Sequence, residues 1–99
     1  MIASPEAIVF VSAVSIWEIR IKQSLGKVKV PEDFAEVLSA EAFEQLPVRF
    51  EHAHAVCTLP PLHRDPFDRM LLAQAKLEKF TLVTHDDILA RYDIPVLVV

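Results

Sequence analysis

The chain has 99 residues, of which 10 are basic and 14 acidic, so its formal net charge is −4. Hydrophobic residues make up 53% of the sequence and charged residues 24%, which excludes intrinsic disorder and predicts a single domain over residues 1–99. The apolar runs are too short to cross a bilayer, one cysteine excludes an intramolecular disulfide, and one glycine excludes glycine-rich phosphate loops.

Strands and helices alternate in the predicted order of elements. Apolar β-branched runs predict buried strands, helical spacing of apolar residues predicts helices, and serine, aspartate, proline and glycine mark the ends. The predicted elements are a strand at 7–12, a helix from Ser12 or Ser15 to a stop at Gly26, a helix at 32–42, an edge strand at 43–48, a short helix at 51–59, a long helix at 66–79, a strand at 81–84, a helical turn at 86–91 and a strand at 94–99. This alternation predicts an α/β fold with a mostly parallel sheet.

Three acidic residues fall where a parallel sheet collects its chemistry, beyond the carboxyl ends of the strands. Glu18 lies in the helix after the first strand, Asp68 opens the long helix, and Asp86 follows the strand at 81–84. Neighbouring carboxylates repel each other unless a cation neutralises them. Oxygen ligands without thiolates favour Mg²⁺ or Mn²⁺, and such ions assist phosphodiester hydrolysis.

Each of these acids also has a structural interpretation. Asp68 follows Asp65 and Pro66, which is the pattern of a helix start. Asp86 or Asp87 can cap the turn that follows, and Glu18 is ordinary if it faces outward. The functional hypothesis therefore depends on whether the acids converge.

The remaining polar side chains give weaker indications. His52 and His54 are two positions apart on a helix, which is poor metal geometry, and His63 and His85 are interpreted as surface residues. The lone Cys57 is interpreted as a small buried hydrophobe.

Two arginines flank the acids at the start of the long helix. Arg64 and Arg69 can either bind RNA phosphates or pair with the carboxylates, and the sequence leaves both interpretations open.

Three segments together resemble PIN-domain toxins of the VapC type. They are Val11-Ser-Ala-Val-Ser-Ile-Trp-Glu-Ile19, His63-Arg-Asp-Pro-Phe-Asp-Arg-Met-Leu-Leu-Ala-Gln-Ala75 and Thr81-Leu-Val-Thr-His-Asp86, in the order and spacing of the family. The resemblance extends from Ile8 to Leu97. It implies a three-layer α/β/α fold and a cytoplasmic Mg²⁺- or Mn²⁺-dependent endoribonuclease of a type II toxin–antitoxin pair. It also implies a VapB-like antitoxin as partner, RNA as substrate, and a homodimer.

The resemblance also assigns site residues. It implies that Glu18, Asp68 and Asp86 are the catalytic metal ligands, which are the positions that the sheet argument selects. Asp65, Asp87 and Thr84 are possible secondary residues of the same site.

The chain departs from the family pattern at its beginning. PIN domains of this type begin with a strand that ends in a further metal-binding aspartate, followed by two helices, and this opening unit does not precede the strand at 7–12. We therefore expect an N-terminally shortened domain with weak metal binding and low RNA cleavage. The alternative hypothesis is a non-catalytic PIN remnant that binds the antitoxin or self-associates.

Overall fold

The computed structural model describes residues 8–99, which form two compact units. The first unit ends at Pro47, and the second extends over Val48–Val99. No helix within residues 8–99 is long and apolar enough to cross a membrane. That one domain spans residues 1–99 stays a prediction.

The first unit contains two strands and two helices. In chain order they are β1 (Phe10–Ser12), α1 (Ala13–Ser24), α2 (Phe34–Ala40) and β2 (Glu44–Leu46). Strands β1 and β2 pair in parallel, with Phe10 opposite Glu44 and Ser12 opposite Leu46. The segment at 43–48 thus forms the predicted strand, which ends just before Pro47 because proline cannot donate to a strand ladder.

The ends of α1 lie where the sequence predicts them. The Ser12 hydroxyl accepts a hydrogen bond from the Val14 N–H at 3.1 Å, so Ser12 rather than Ser15 is the N-cap. Gly26 has a φ of 72° and follows the last helical turn, where a left-handed residue ends a helix without steric cost.

Helix α2 begins two residues later than predicted. The Phe34 N–H donates to the Pro31 carbonyl at 3.1 Å, so residues 32 and 33 form a turn before the helix. No side chain caps α2, and an uncapped start leaves the first N–H groups to the turn and to water.

The second unit contains the longest helix and most of the buried side chains. Its elements are α3 (Phe50–Ala55), a 3₁₀ helix (Val56–Thr58), α4 (Pro66–Glu78), β3 (Leu82–Thr84), a second 3₁₀ helix (Asp87–Arg91) and β4 (Val96–Val98). Strands β3 and β4 pair in parallel, with Leu82 opposite Val96. Helices and parallel strands in this order confirm the predicted α/β class, whereas the three-layer arrangement stays a prediction.

Both ends of α4 are fixed by local residues. The Asp65 carboxylate caps the first turn, Pro66 occupies the first helical position, and Lys79 ends the helix in the left-handed conformation with φ 59°. Helix α4 therefore has the predicted bounds, apart from its last residue.

The core of the second unit packs one face of α4 against the chain that follows β3. Its buried members are Leu59, Leu72, Ala73, Ala75, Leu89, Tyr92 and Ile94. Leu72 and Ala73 are completely buried, which is the expected result for the apolar stripe of an amphipathic helix.

The prediction that the strands at 7–12 and 81–84 are buried is wrong. Phe10 is 37% exposed and Val83 is 47% exposed. Ile8 and Val9 precede β1 rather than extending it, and Ala7 lies outside the described residues. Within residues 8–99 each strand pairs with one other strand, and a β-branched run indicates a strand without saying how many elements cover it.

Candidate metal centre

Two carboxylates of the second unit meet at one imidazole nitrogen. The Nε2 atom of His63 lies 2.8 Å from Oδ2 of Asp68 and 3.3 Å from Oδ2 of Asp86. An ionised carboxylate can only accept a hydrogen bond, so the Nε2–H of His63 donates to Asp68, while Oδ2 of Asp86 lies close to the same nitrogen. The start of α4 and the segment after β3 thus bring Asp68 and Asp86 to the same imidazole nitrogen, and their joint role in one site stays a prediction.

Asp68 is held in place by the cap of α4. Oδ1 of Asp65 accepts hydrogen bonds from the backbone N–H groups of Phe67 at 2.8 Å and Asp68 at 3.2 Å. Donor atoms of His63, Asp65 and Asp68, one from each residue, all lie within 4.8 Å of one another. The structural and functional interpretations of Asp65 and Asp68 are thus compatible, because the cap uses Oδ1 of Asp65 and gathers both carboxylates at the helix start.

Asp86 is positioned by the end of β3. Its backbone N–H donates to Oγ1 of Thr84 at 3.1 Å, and its Oδ1 accepts the N–H of Ile88 at 3.0 Å. One carboxylate oxygen thus caps the following 3₁₀ helix while the other faces His63. Thr84, a predicted secondary residue, acts by orienting the segment that carries Asp86.

Glu18 lies in the first unit, on α1. Its Oε2 is 2.9 Å from Nζ of Lys22, one helical turn further along, and its side chain is 19% exposed. The Lys22 side chain is 52% exposed, so the pair is partly screened by solvent. That Glu18 joins the acids of the second unit stays a prediction.

Arg69, a predicted RNA contact, binds backbone carbonyls instead of carboxylates. Its Nη2 donates to the carbonyls of Val56 at 3.0 Å and Leu59 at 3.3 Å, and its Nη1 donates to that of Pro60 at 3.0 Å. A guanidinium presents several donors in one plane, which suits it to link the carbonyls that follow α3. Arg69 therefore joins the start of α4 to the end of the preceding 3₁₀ helix.

Arg64 and Asp87 are both exposed. Arg64 lies between His63 and Asp65 in the sequence, and Asp87 follows Asp86 in the first turn of the second 3₁₀ helix. Their predicted roles, a phosphate contact for Arg64 and a secondary site role for Asp87, stay predictions.

The interpretation of His63 as a plain surface residue is wrong, because its ring lies between two acids and its side chain is 19% exposed. The sequence signal was its position two residues before the Asp65 cap, which brings the ring close to the first turn of α4. Cys57 was also misjudged, because it is exposed rather than buried. The prediction that His52 and His54 face different ways is confirmed, since His52 is 1% exposed and His54 is exposed.

We define the His63 cluster as His63, Asp65, Asp68 and Asp86. The donor atoms of these residues fit a divalent cation. Asp65 and Asp68 supply the hard oxygen ligands that Mg²⁺ and Mn²⁺ prefer, and Asp86 lies 3.3 Å from the same His63 ring. The cluster is only partly buried, so an ion can enter. The imidazole N–H already offsets part of the repulsion between the acids, which is the contribution that a cation would make in full.

A family model for the PIN domain matches residues 2–95 of the sequence. The chain belongs to the PIN-domain family. Searches of curated protein sequences and of solved structures gave no match. The PIN domain is a nuclease-type fold whose members are generally dependent on divalent metals, and the observed helices and parallel strands agree with it.

The PIN assignment gives the His63 cluster its context. Asp68 and Asp86 are two of the three acids that the sequence selected, and both approach His63 in the second unit of this PIN domain.

Proposed function

We propose that this PIN domain is a VapC-type toxin, an Mg²⁺- or Mn²⁺-dependent endoribonuclease of a type II toxin–antitoxin pair. The observation that carries the proposal is the approach of Asp68 and Asp86 to a single atom of His63. Two ionised acids held near one imidazole repel each other, and a bound cation offsets the cost of that repulsion.

The cation would be held by Asp68 and Asp86, with Glu18 as the third predicted ligand and Asp65 beside them. When bound, such an ion acidifies a water molecule and stabilises the charge that develops on a phosphate during hydrolysis. Thr84 keeps Asp86 in place by accepting its N–H, and Asp65 keeps Asp68 in place by capping α4. These contacts fix the ligands before substrate arrives, so little reorganisation is needed during reaction.

The substrate proposed for this site is RNA, bound through its phosphates. The chain as a whole carries a net charge of −4, so general electrostatic attraction to a polyanion is absent and binding must be local. Arg64 is an exposed cation directly beside the His63 cluster in the sequence, which supports it as a phosphate contact. Arg69 is a weaker candidate, because its guanidinium is committed to carbonyls.

The matched pair Asp68→Asn and Asp93→Asn tests the catalytic proposal. Both changes remove one charge from an aspartate of the second unit, but Asp68 contacts His63, whereas Asp93 is an exposed residue outside the His63 cluster. We expect Asp68→Asn to reduce both Mn²⁺ affinity and RNA cleavage by at least about tenfold, and Asp93→Asn to change either by less than about twofold. Unchanged cleavage in Asp68→Asn would contradict the proposal, as would a wild-type chain that cleaves no RNA in the presence of Mn²⁺ or Mg²⁺.

A second candidate function is binding to a protein partner without catalysis. Large apolar side chains are exposed in both units, among them Ile8 at 71%, Phe50 at 84% and Val99 at 62%. Such residues occur singly on most surfaces, but their number here supports a partner that covers them. We propose a homodimer and a VapB-like antitoxin as those partners.

Light scattering over a range of protein concentrations tests the dimer, and mass spectrometry of the complex purified from the native host tests the antitoxin. A monomer at all concentrations would contradict the first, and a purified chain without any VapB-like protein would contradict the second.

A further inference from the structure

We propose that His63 is itself a ligand of the divalent cation, so that the site has a mixed nitrogen–oxygen donor set and prefers Mn²⁺ to Mg²⁺. The inference rests on the proposed metal dependence of the PIN domain. It goes beyond that proposal because it adds a ligand that is not one of the predicted acids, and because it chooses between the two ions.

The first argument is the spacing of the donor atoms. Neighbouring ligands around an octahedral ion with bonds of about 2.1 Å are about 3 Å apart. Nε2 of His63 lies 2.8 Å from Oδ2 of Asp68 and 3.3 Å from Oδ2 of Asp86, which brackets that spacing on both sides. A donor atom of Asp65 lies within 4.8 Å of donors from His63 and Asp68.

The second argument is the position of the imidazole among the acids. Nε2 of His63 lies within 4 Å of carboxylate oxygens from both the start of α4 and the segment after β3. An ion bound by Asp65 and Asp68 would lie beside His63, because donor atoms of all three residues lie within 4.8 Å of one another. Such an ion either takes the ring nitrogen as a ligand or displaces the ring.

For a neutral imidazole, binding through Nε2 requires no net loss of a proton. The one N–H of that ring is on Nε2 when this atom donates to Asp68. When the ion takes the lone pair of Nε2, the proton moves to Nδ1, and the partly exposed ring allows water to exchange it. The hydrogen bond to Asp68 is lost, and bonds from the ring nitrogen and the carboxylates to the ion replace it.

The donor set determines which ion is preferred. Mg²⁺ binds oxygen ligands and water and rarely accepts imidazole, whereas Mn²⁺ accepts imidazole together with carboxylates. A site of carboxylates alone would distinguish the two ions weakly. With His63 as a ligand, we expect the chain to bind Mn²⁺ at least about tenfold more tightly than Mg²⁺.

Titration calorimetry with Mn²⁺ and Mg²⁺, each without RNA, tests the ion preference in three proteins. These are the wild-type chain, His63→Gln and His85→Gln. Glutamine at position 63 keeps an N–H donor for the acids but cannot offer an imidazole nitrogen, while His85 is an exposed histidine next to Asp86. We expect His63→Gln to weaken Mn²⁺ binding at least about tenfold and Mg²⁺ binding much less, and His85→Gln to change neither.

Pulsed electron paramagnetic resonance of bound Mn²⁺ gives a direct signature. A coordinated imidazole produces a coupling between the ion and nitrogen, which a histidine that only positions the acids does not. We expect this coupling in the wild-type chain and in His85→Gln and its loss in His63→Gln. Labelling the wild-type chain with ¹⁵N-histidine changes the coupling without any substitution, so the test holds even if His63→Gln is unstable.

The outcomes separate this inference from the ribonuclease proposal. A chain that shows the nitrogen coupling but does not cleave RNA supports His63 as a ligand and contradicts the ribonuclease. A chain that cleaves RNA without the coupling, or whose His63→Gln variant binds Mn²⁺ as tightly as wild type, overturns the ligand. A chain that binds neither ion overturns both.

Discussion

The Nε2 atom of His63 lies 3.3 Å from Oδ2 of Asp86, although the whole of α4 and β3 separates the two residues in the sequence. The contact joins the start of α4 to the segment beyond β3. The site therefore depends on side chains whose place in the fold is set by their own local hydrogen bonds, and those bonds can be tested one at a time.

Asp65 is expected to cap α4 and to bind the metal ion, and two substitutions distinguish these roles. Asp65→Asn keeps a side-chain oxygen for the N–H groups of Phe67 and Asp68, so stability should change by less than about 0.5 kcal/mol. Asp65→Ala removes the cap and should cost about 1 kcal/mol. Mn²⁺ affinity should fall in both variants, because both lose the charge. Urea unfolding and titration calorimetry measure the two effects, and an Asn variant that binds Mn²⁺ normally would remove Asp65 from the site.

Glu18 is expected to act as a metal ligand rather than as a partner of Lys22. Glu18→Gln and Lys22→Gln break the same ion pair, whose contribution to stability is about 0.5 kcal/mol or less. We expect Glu18→Gln to reduce RNA cleavage at least about tenfold and Lys22→Gln to leave it within about twofold of wild type. Equal cleavage by the two variants would show that Glu18 only pairs with Lys22 on α1 and does not act in cleavage.

Arg69 is expected to stabilise the second unit rather than to bind RNA. Arg69→Lys cannot reproduce donation from two guanidinium nitrogens to the carbonyls of Val56, Leu59 and Pro60, so unfolding free energy should fall by about 2 kcal/mol. Arg64→Lys changes an exposed side chain and should alter stability by less than about 0.5 kcal/mol. A stable Arg69→Lys variant that has lost RNA affinity would assign Arg69 to the substrate instead.

His52 is expected to link α3 to the end of α4. Its Nδ1 accepts the N–H of Arg49 at 3.0 Å, and its Nε2 lies 2.9 Å from Oε1 of Glu78. His52→Ala leaves the start of α3 without this acceptor and opens a cavity, so stability should fall by about 2–4 kcal/mol. The exposed His54 supplies the control, and His54→Ala should cost less than about 0.5 kcal/mol by urea unfolding. Similar costs for the two variants would rule out the link.

Lys79 is expected to be a strained helix end. Its φ of 59° lies in the left-handed region, which residues other than glycine and asparagine rarely adopt. Lys79→Gly should therefore raise the free energy of unfolding by about 0.5–1 kcal/mol. Lys76→Gly, within the last turn of α4, should lower it by about 1 kcal/mol. Thermal unfolding of the two variants shows whether each change raises or lowers the free energy of unfolding. A destabilised Lys79→Gly variant would show that the lysine side chain stabilises this end of the helix.

The sequence alone determined the elements whose ends depend on neighbouring residues. Ser12 and Gly26 bound α1, while Asp65 and Pro66 start α4, because caps and left-handed stops act over only a few residues. The same local chemistry placed Asp68 at a helix start and Asp86 just after a strand. The α/β class followed from the alternation of these elements, and the PIN family from motifs that span them.

Only the tertiary structure decided which side chains meet. Periodicity says that a β-branched run forms a strand, but the exposure of Phe10 and Val83 depends on what covers the strand. Arg69 was ambiguous until the carbonyls around its guanidinium were known, because a cation pairs with phosphate, carboxylate or carbonyl alike. His63 gained its place between Asp68 and Asp86 in the same way, since contacts between residues far apart in sequence arise from packing and not from local spacing.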